Sequence, residues 1–210
     1  YSCTDQPLTV EPQDYVFITV KDDDLENACR QTGNMIGKDT VLIAATNGIP
    51  PWFPCSHPKV MSYLTGENRR RFEAFRQNID AQALIGSVIQ RVVIPEKNSP
   101  IVSVRCLGGS GLLAGELDHS ISDRLKRLQA AISAPGCELT LTGNIHREIW
   151  RELAVNVFFN PVSSFGLKAD EIALLHRSVL AGDARVEEVL NVGEALGVIS
   201  REELLAIGNG

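Results

Sequence analysis

Asp14-Tyr-Val-Phe-Ile-Thr-Val20, Asp22-Asp-Asp-Leu-Glu-Asn-Ala-Cys29 and Thr40-Val-Leu-Ile-Ala-Ala45 are the stretches whose reading decides the fold. The first and last are near-continuous runs of apolar, β-branched and aromatic residues, the signature of strands buried on both faces of a parallel sheet. The middle stretch opens on acidic residues, which suit the positive N-terminal end of a helix. Strand, helix and strand in about 30 residues make one βαβ unit, so the expected architecture is α/β. Working outward, residues 84–94 and 101–107 read as further strands. Ser120 to Ser133 reads as an amphipathic helix with Ile121, Leu125, Leu128 and Ile132 on one face. From about residue 144 the pattern is helical only, near 144–159, 169–196 and 200–207. That change places a domain boundary near residue 143, with an α/β domain over 1–142 and an all-helical domain over 143–210. Between the early strands and the rest, Gly48 to Pro58 carries four prolines and is expected to be an irregular surface loop leaving a strand's carboxyl end.

Composition narrows the function classes. The 210 residues are 44% hydrophobic and 22% charged, ordinary for a folded globular chain. Twenty basic against 26 acidic side chains give a net charge of -6, which argues against nucleic acid or an anionic membrane as the main partner. No uncharged apolar run reaches the roughly 18 residues that would cross a bilayer. The five cysteines are scattered without a CxxC pair, so neither a disulfide framework nor a zinc knuckle is expected, and a reducing cytoplasm is the default. His57, His119, His146 and His176 lack metal-ligand spacing; each is expected at the surface, and no metal site is expected. Arg69-Arg70-Arg71 is read as a solvated basic face.

Three features compete for a chemical role. Gly109-Ser110-Gly111-Leu112-Leu113-Ala114 formally matches a dinucleotide-binding GxGxxG/A, but Gly115 interrupts at once and no long helix starts there. A hairpin of Ile101–Leu107 and Leu112–Leu117 turning through the glycines is the preferred reading. Lys21 and Asn47 each lie just past the carboxyl end of an expected parallel strand, the edge where open α/β sheets bind ligands. A solvated loop lysine and a turn asparagine are the equally weighted alternatives. The strongest constellation is Ile145 to Asn160, apolar almost all round except for Glu152, Asn156 and Asn160 at i, i+4 and i+8. Asparagine is a poor helix former, and burying its amide without partners costs about 1–3 kcal/mol, so the stripe points to a wet cleft or a ligand. A hydrogen-bonded core network or a partly exposed face would also accommodate it.

Asp14 to Lys21, then Thr46-Asn47-Gly48-Ile49-Pro50, then Ile149-Trp-Arg-Glu-Leu-Ala-Val-Asn-Val-Phe-Phe-Asn-Pro161 together resemble the ketopantoate reductases (2-dehydropantoate 2-reductases), in order and at compatible spacing. The resemblance implies a partial Rossmann-like sheet domain followed by a helical one. It also implies NADPH-dependent reduction of a 2-oxo acid to a 2-hydroxy acid in pantothenate biosynthesis, and a homodimer is expected. Lys21 then matches a lysine near the cofactor, Asn47 a residue touching cofactor and substrate, and Asn156 and Asn160 asparagines that hydrogen-bond the substrate.

Two departures accompany the resemblance. The family's glycine-rich first βα unit would lie upstream of Tyr1, and its late serine and acidic residue have no counterpart before Gly210, so the chain reads as incomplete at both ends. Glu152 stands where the family carries the lysine that protonates the nascent alkoxide. Reducing a ketone needs a donor still protonated at working pH, whereas glutamate has a reference pKa of about 4.3. Two like charges about 4 Å apart at an effective dielectric near 20 repel by roughly 4 kcal/mol, so a carboxylate there opposes an anionic substrate. Arg151 points about 100° round the helix and cannot replace the missing cation. The expectation is an impaired or inactive reductase, with a non-catalytic binding or oligomerisation module of the same ancestry as the alternative.

Overall fold

The computed structural model describes residues 3–21, 24–90, 92–95, 104–108, 111–132, 138–163 and 183–205. The βαβ unit is present: β1 (Tyr15–Ile18), α1 (Leu25–Gln31) and β2 (Val41–Ala44), with β1 and β2 parallel and Tyr15 opposite Val41. The proline-rich connection then contains two single-turn helices, α2 (Phe53–Ser56) and α3 (Pro58–Met61), followed by α4 (Gly66–Asn78). This corrects the expected surface loop. Pro54, second in α2, and Pro58, first in α3, need no amide hydrogen in a first helical turn, and Trp52 and Phe53 are fully buried.

β3 (Leu84–Ile89) lies parallel to β2. β4 (Val92–Pro95) and β5 (Val104–Gly108) pair antiparallel as a separate two-stranded sheet. β6 (Leu112–Gly115) pairs antiparallel with β3 and parallel with β7 (Leu139–Leu141), so the main sheet runs β1-β2-β3-β6-β7. The expected hairpin of 101–107 with 112–117 is therefore incorrect: 104–108 turns back on 92–95, and 112–115 is claimed by the main sheet. Leu113 and Ala114 explain the choice, since they find buried places on opposite faces of that sheet. The glycine run is also not a phosphate cradle. Gly111 has φ +108 and leads straight into β6, not into a helix. The sheet is thus mixed, with a parallel core of three strands.

The two faces are covered separately. Val41, Ile43, Ile85, Ala114 and Leu139 pack with Leu125 and Leu128 of α5 (Asp123–Ile132). Val16, Ile18, Leu42, Ala44, Leu84 and Val88 pack with α1, α4 and the helices that follow the sheet. This period-2 division shows β2 and β3 buried on both faces as expected. β1 is not: it is an edge strand, with Phe17 38% exposed.

After β7 the described elements are all helical: α6 (Ile145–Ser163), α7 (Ala184–Leu196) and the short α8 (Arg201–Leu205). The first part of the helix expected from 169 lies outside the described residues, as do Gly109, Ser110, His176 and Cys137. α6 is seated on two glycines: a Cβ on Gly86 would come within 2.7 Å of the Ile145 side chain, and one on Gly115 within 3.1 Å of Ile145 Cβ. α7 is locked to α6 by the Trp150 indole, which donates to the Val189 carbonyl at 2.8 Å. One hydrophobic cluster runs from β1 through α6 to α7, across the sequence boundary at residue 143. Among the described residues no helix is long and apolar enough to cross a membrane.

Candidate functional site

Lys21 and Asn47 are both exposed, three residues past the ends of the adjacent parallel strands β1 and β2. The chain is fixed just short of those tips: the Ala45 amide donates to the Ile18 carbonyl at 2.9 Å, and the buried Ser87 hydroxyl donates to the Ala44 carbonyl at 3.1 Å. Beside Asn47, the Thr46 hydroxyl is buried with no hydrogen-bond partner among the described residues, and Gly48 has φ +85 with open space where a side chain would stand. An orphaned hydroxyl and a left-handed glycine at a strand tip suit a ligand that approaches the backbone closely.

The polar stripe of α6 is real and is not sealed. Glu152 and Asn156 are half-buried and Asn160 is exposed. The Asn156 side-chain amide donates to Glu152 Oε1 at 3.2 Å. Burial pushes the Glu152 carboxyl above the ordinary glutamate range, and the Asn156 hydrogen bond offsets part of that rise. The departure from an ordinary surface carboxylate is therefore towards the protonated form. Arg151 turns away from it, donating to Glu148 Oε2 at 3.4 Å. α6 begins over Gly86, midway along β3, and Leu153 and Val157 pack on the cluster that contains Val88 and Val20. Its later turns accordingly share a cluster with residues at the carboxyl ends of β1 and β3. No hydrogen bond or ion pair among the described residues joins Lys21 or Asn47 to Glu152 or Asn156.

His119 is exposed as expected and His57 is half-buried, but His146 overturns the sequence reading. His146 is 1% exposed, and its ring centroid lies 4.5 Å from that of His57 and 5.2 Å from that of His119. Trp52 and Phe53 close round it at 5.9 and 5.4 Å, both edge-on. A signal for this was present, since His146 and Trp150 are four apart and share a helix face. Even so, among the described residues no group of three or more His, Cys, Asp or Glu is arranged to hold a metal. Sequence reasoning also missed buried Glu116, which accepts from Arg124 Nε at 2.8 Å and from the Ser122 hydroxyl. Arg124 goes on to donate to the Leu84 carbonyl at 3.1 Å, tying the turn after β6 to the start of β3. The Arg69 to Arg71 triplet is the solvated face expected of it, with Arg69 paired to Glu73 and Arg71 to Glu67, each at 3.1 Å.

Two cavities lie elsewhere. One of about 690 Å³ opens between α2, α3 and α4, beside Cys55, Phe72 and Arg76. A second, of about 400 Å³, sits where α7 turns into α8. Neither is lined by Lys21, Asn47, Glu152, Asn156 or Asn160.

No protein-family model matches the chain. A 2-dehydropantoate 2-reductase of Mesorhizobium japonicum is 29% identical over 197 residues, covering 89% of this chain and 56% of its own length. The resemblance is to the ketopantoate reductases. The chain spans about half the length of that ketopantoate reductase relative. A protein of Ralstonia solanacearum MolK2 assigned to the ketopantoate reductases shares the fold with a TM-score of 0.73 at 24% identity, over 98% of this chain and 64% of that one. D-mandelate dehydrogenase in complex with NADH shares it with a TM-score of 0.67 at 18% identity, over 95% and 60%.

Proposed function

We propose that this chain supplies the substrate side and the nicotinamide side of a ketopantoate-reductase-like oxidoreductase, which reduces a 2-oxo acid to a 2-hydroxy acid with NADPH in the cytoplasm as a homodimer. The division at residue 143 then separates a cofactor-binding α/β part from a helical substrate and dimerisation part. The observation that carries the reading is the half-buried Glu152–Asn156 pair, on a helix that packs against the same cluster as the tips of the parallel strands.

Lys21 and Asn47 would hold the nicotinamide end of the cofactor, together with the Thr46 hydroxyl that lacks a partner. Bound there, the cofactor supplies the hydride. Asn47, Asn156 and Asn160 would orient the 2-oxo acid through its carbonyl and carboxylate oxygens, since their amides can donate to both. Glu152 occupies the position from which a proton must reach the carbonyl oxygen. Only its protonated form can donate one, and its ionised form repels a substrate carboxylate. Turnover of anionic 2-oxo acids is therefore weak at neutral pH.

Glu152→Lys tests this in the protein that carries the chain. Ketopantoate-dependent NADPH oxidation should be slow in the parent and faster in the variant. Brisk turnover by the parent that is abolished in Glu152→Lys would overturn the role given to Glu152. The second reading, a non-catalytic binding or oligomerisation module, is favoured by the acidic residue at that position. It is the reading that survives if neither protein turns over or binds NADPH.

A further inference from the structure

We propose that His57, His119 and His146 form an acid-released latch, which fastens the 52–57 segment and the turn at 117–120 to the first turn of α6. Three separate stretches of chain meet at one ring. His146 belongs to α6, His57 follows α2, and His119 lies in the turn after β6. His146 Nε2 is 2.7 Å from the Ser56 hydroxyl, which itself donates to the Phe53 carbonyl at 3.2 Å. The serine proton is thereby used, so Nε2 carries the imidazole hydrogen and donates to Ser56, an assignment made from the hydrogen-bond network. His146 Nδ1 is left with a lone pair, buried and without a partner among the described residues, and the same holds for His57 Nδ1.

In the neutral form this arrangement is tolerable. A second proton on His146 must go to Nδ1, where no acceptor meets it and two other imidazoles stand within about one ring width. Burial, with His57 and His119 as lesser causes, holds the His146 ring down to about 4. His57 is also lowered, by burial first and His119 second.

Among the described residues no carboxylate is available to offset the charge. On α6, Glu148 is engaged by Arg147 and Arg151. In the turn, Glu116 is taken by Arg124 and Ser122, while Asp118 accepts from the Ser120 amide. The 52–57 segment holds no charged side chain. Its Cys55 thiol is pushed up by burial, and Arg76 of α4 acts against that rise. His119 adds a backbone constraint, being a non-glycine residue at φ +68. A ring whose folded pKa is depressed contributes its full stability above about pH 6.5 and loses it as pH falls through about 4. The released form can take up protons that the latched form cannot.

The latch has a direct route to the strand tips. The segment it fastens continues from Asn47, and the helix it fastens carries Glu152. Its effect on catalysis rests on the proposed reductase reading, whereas the latch itself does not. The test therefore uses no cofactor or substrate. Imidazole titrations by NMR should give one histidine with a pKa well below 6.5, and His119→Asn, which tolerates the left-handed backbone, should raise it. Hydrogen exchange, corrected for its intrinsic pH dependence, should show the His57 and Val60 amides losing protection near pH 4.5 while those of β2 keep theirs. His146→Gln, which keeps a donor for Ser56, should flatten that loss. All four histidines titrating near 6.5, an unchanged exchange profile in His146→Gln, or simultaneous loss of protection across β2 would each overturn the latch.

Discussion

The two halves of α6 have similar apolar composition and opposite fates. Over its first turns, His146, Ile149 and Trp150 are sealed against α2, α7 and the sheet. Two turns on, Glu152 and Asn156 are half-buried and paired with each other, and Asn160 is exposed. What differs is the neighbour. Gly86, Gly115 and Gly193 each lack a side chain where the first half approaches, which lets it pack closely there. The same helix thus anchors the fold at one end and offers polar groups at the other.

Trp150→Ala should break this contrast most severely. It removes a buried indole and its bond to Val189 and should cost about 3–5 kcal/mol, read as a lower denaturant midpoint with an unchanged slope. A loss below about 1 kcal/mol would show that the first half is not the anchor. Gly193→Ala should act less strongly on the same contact. Its Cβ would press on the Trp150 indole and come within 2.8 Å of Ile199, costing about 1–3 kcal/mol in the same measurement.

The second half should respond to pH. Glu152 has its folded pKa raised, so its contribution is complete below the ordinary value of about 4.3 and is lost as pH rises through the folded one. Glu152→Gln should consequently match the parent in melting temperature at pH 4 and exceed it at pH 7.5. Allowing for solvent screening of a half-exposed group, the difference should stay below about 1 kcal/mol. A variant less stable than the parent at pH 7.5 would contradict the burial argument. The smallest effect on stability belongs to Lys21→Ala, within about 0.5 kcal/mol because the side chain is exposed. The same change should weaken NADPH binding by about tenfold in a titration, and unchanged affinity would remove Lys21 from the proposed cofactor site.

Legibility followed the range of the interactions involved. β1, α1 and β2 could be read because apolar runs and an acidic helix start are local signals. The Glu152–Asn156 pair was equally local, since i and i+4 on a helix are neighbours wherever the helix goes. The partner of 104–108 could not be read. Two apolar strands flanking a glycine run fit a hairpin as well as they fit two different sheets, and the choice turned on which burial sites Leu113 and Ala114 could reach. Trp52 and Phe53 were hidden by their prolines, which signal a loop even where they begin helical turns. The histidines, 62 and 27 residues apart along the chain from 57 to 119 and from 119 to 146, carried no common pattern.

By itself the sequence determined the α/β start, the helical finish and the polar stripe on α6, because periodicity and turn chemistry act within a few residues. Only the tertiary structure decided that the sheet is mixed, that Trp52 and His146 lie in its core, and that burial raises the Glu152 carboxyl above the ordinary glutamate range. Burial is a property of what packs against a side chain, and those neighbours come from distant parts of the chain.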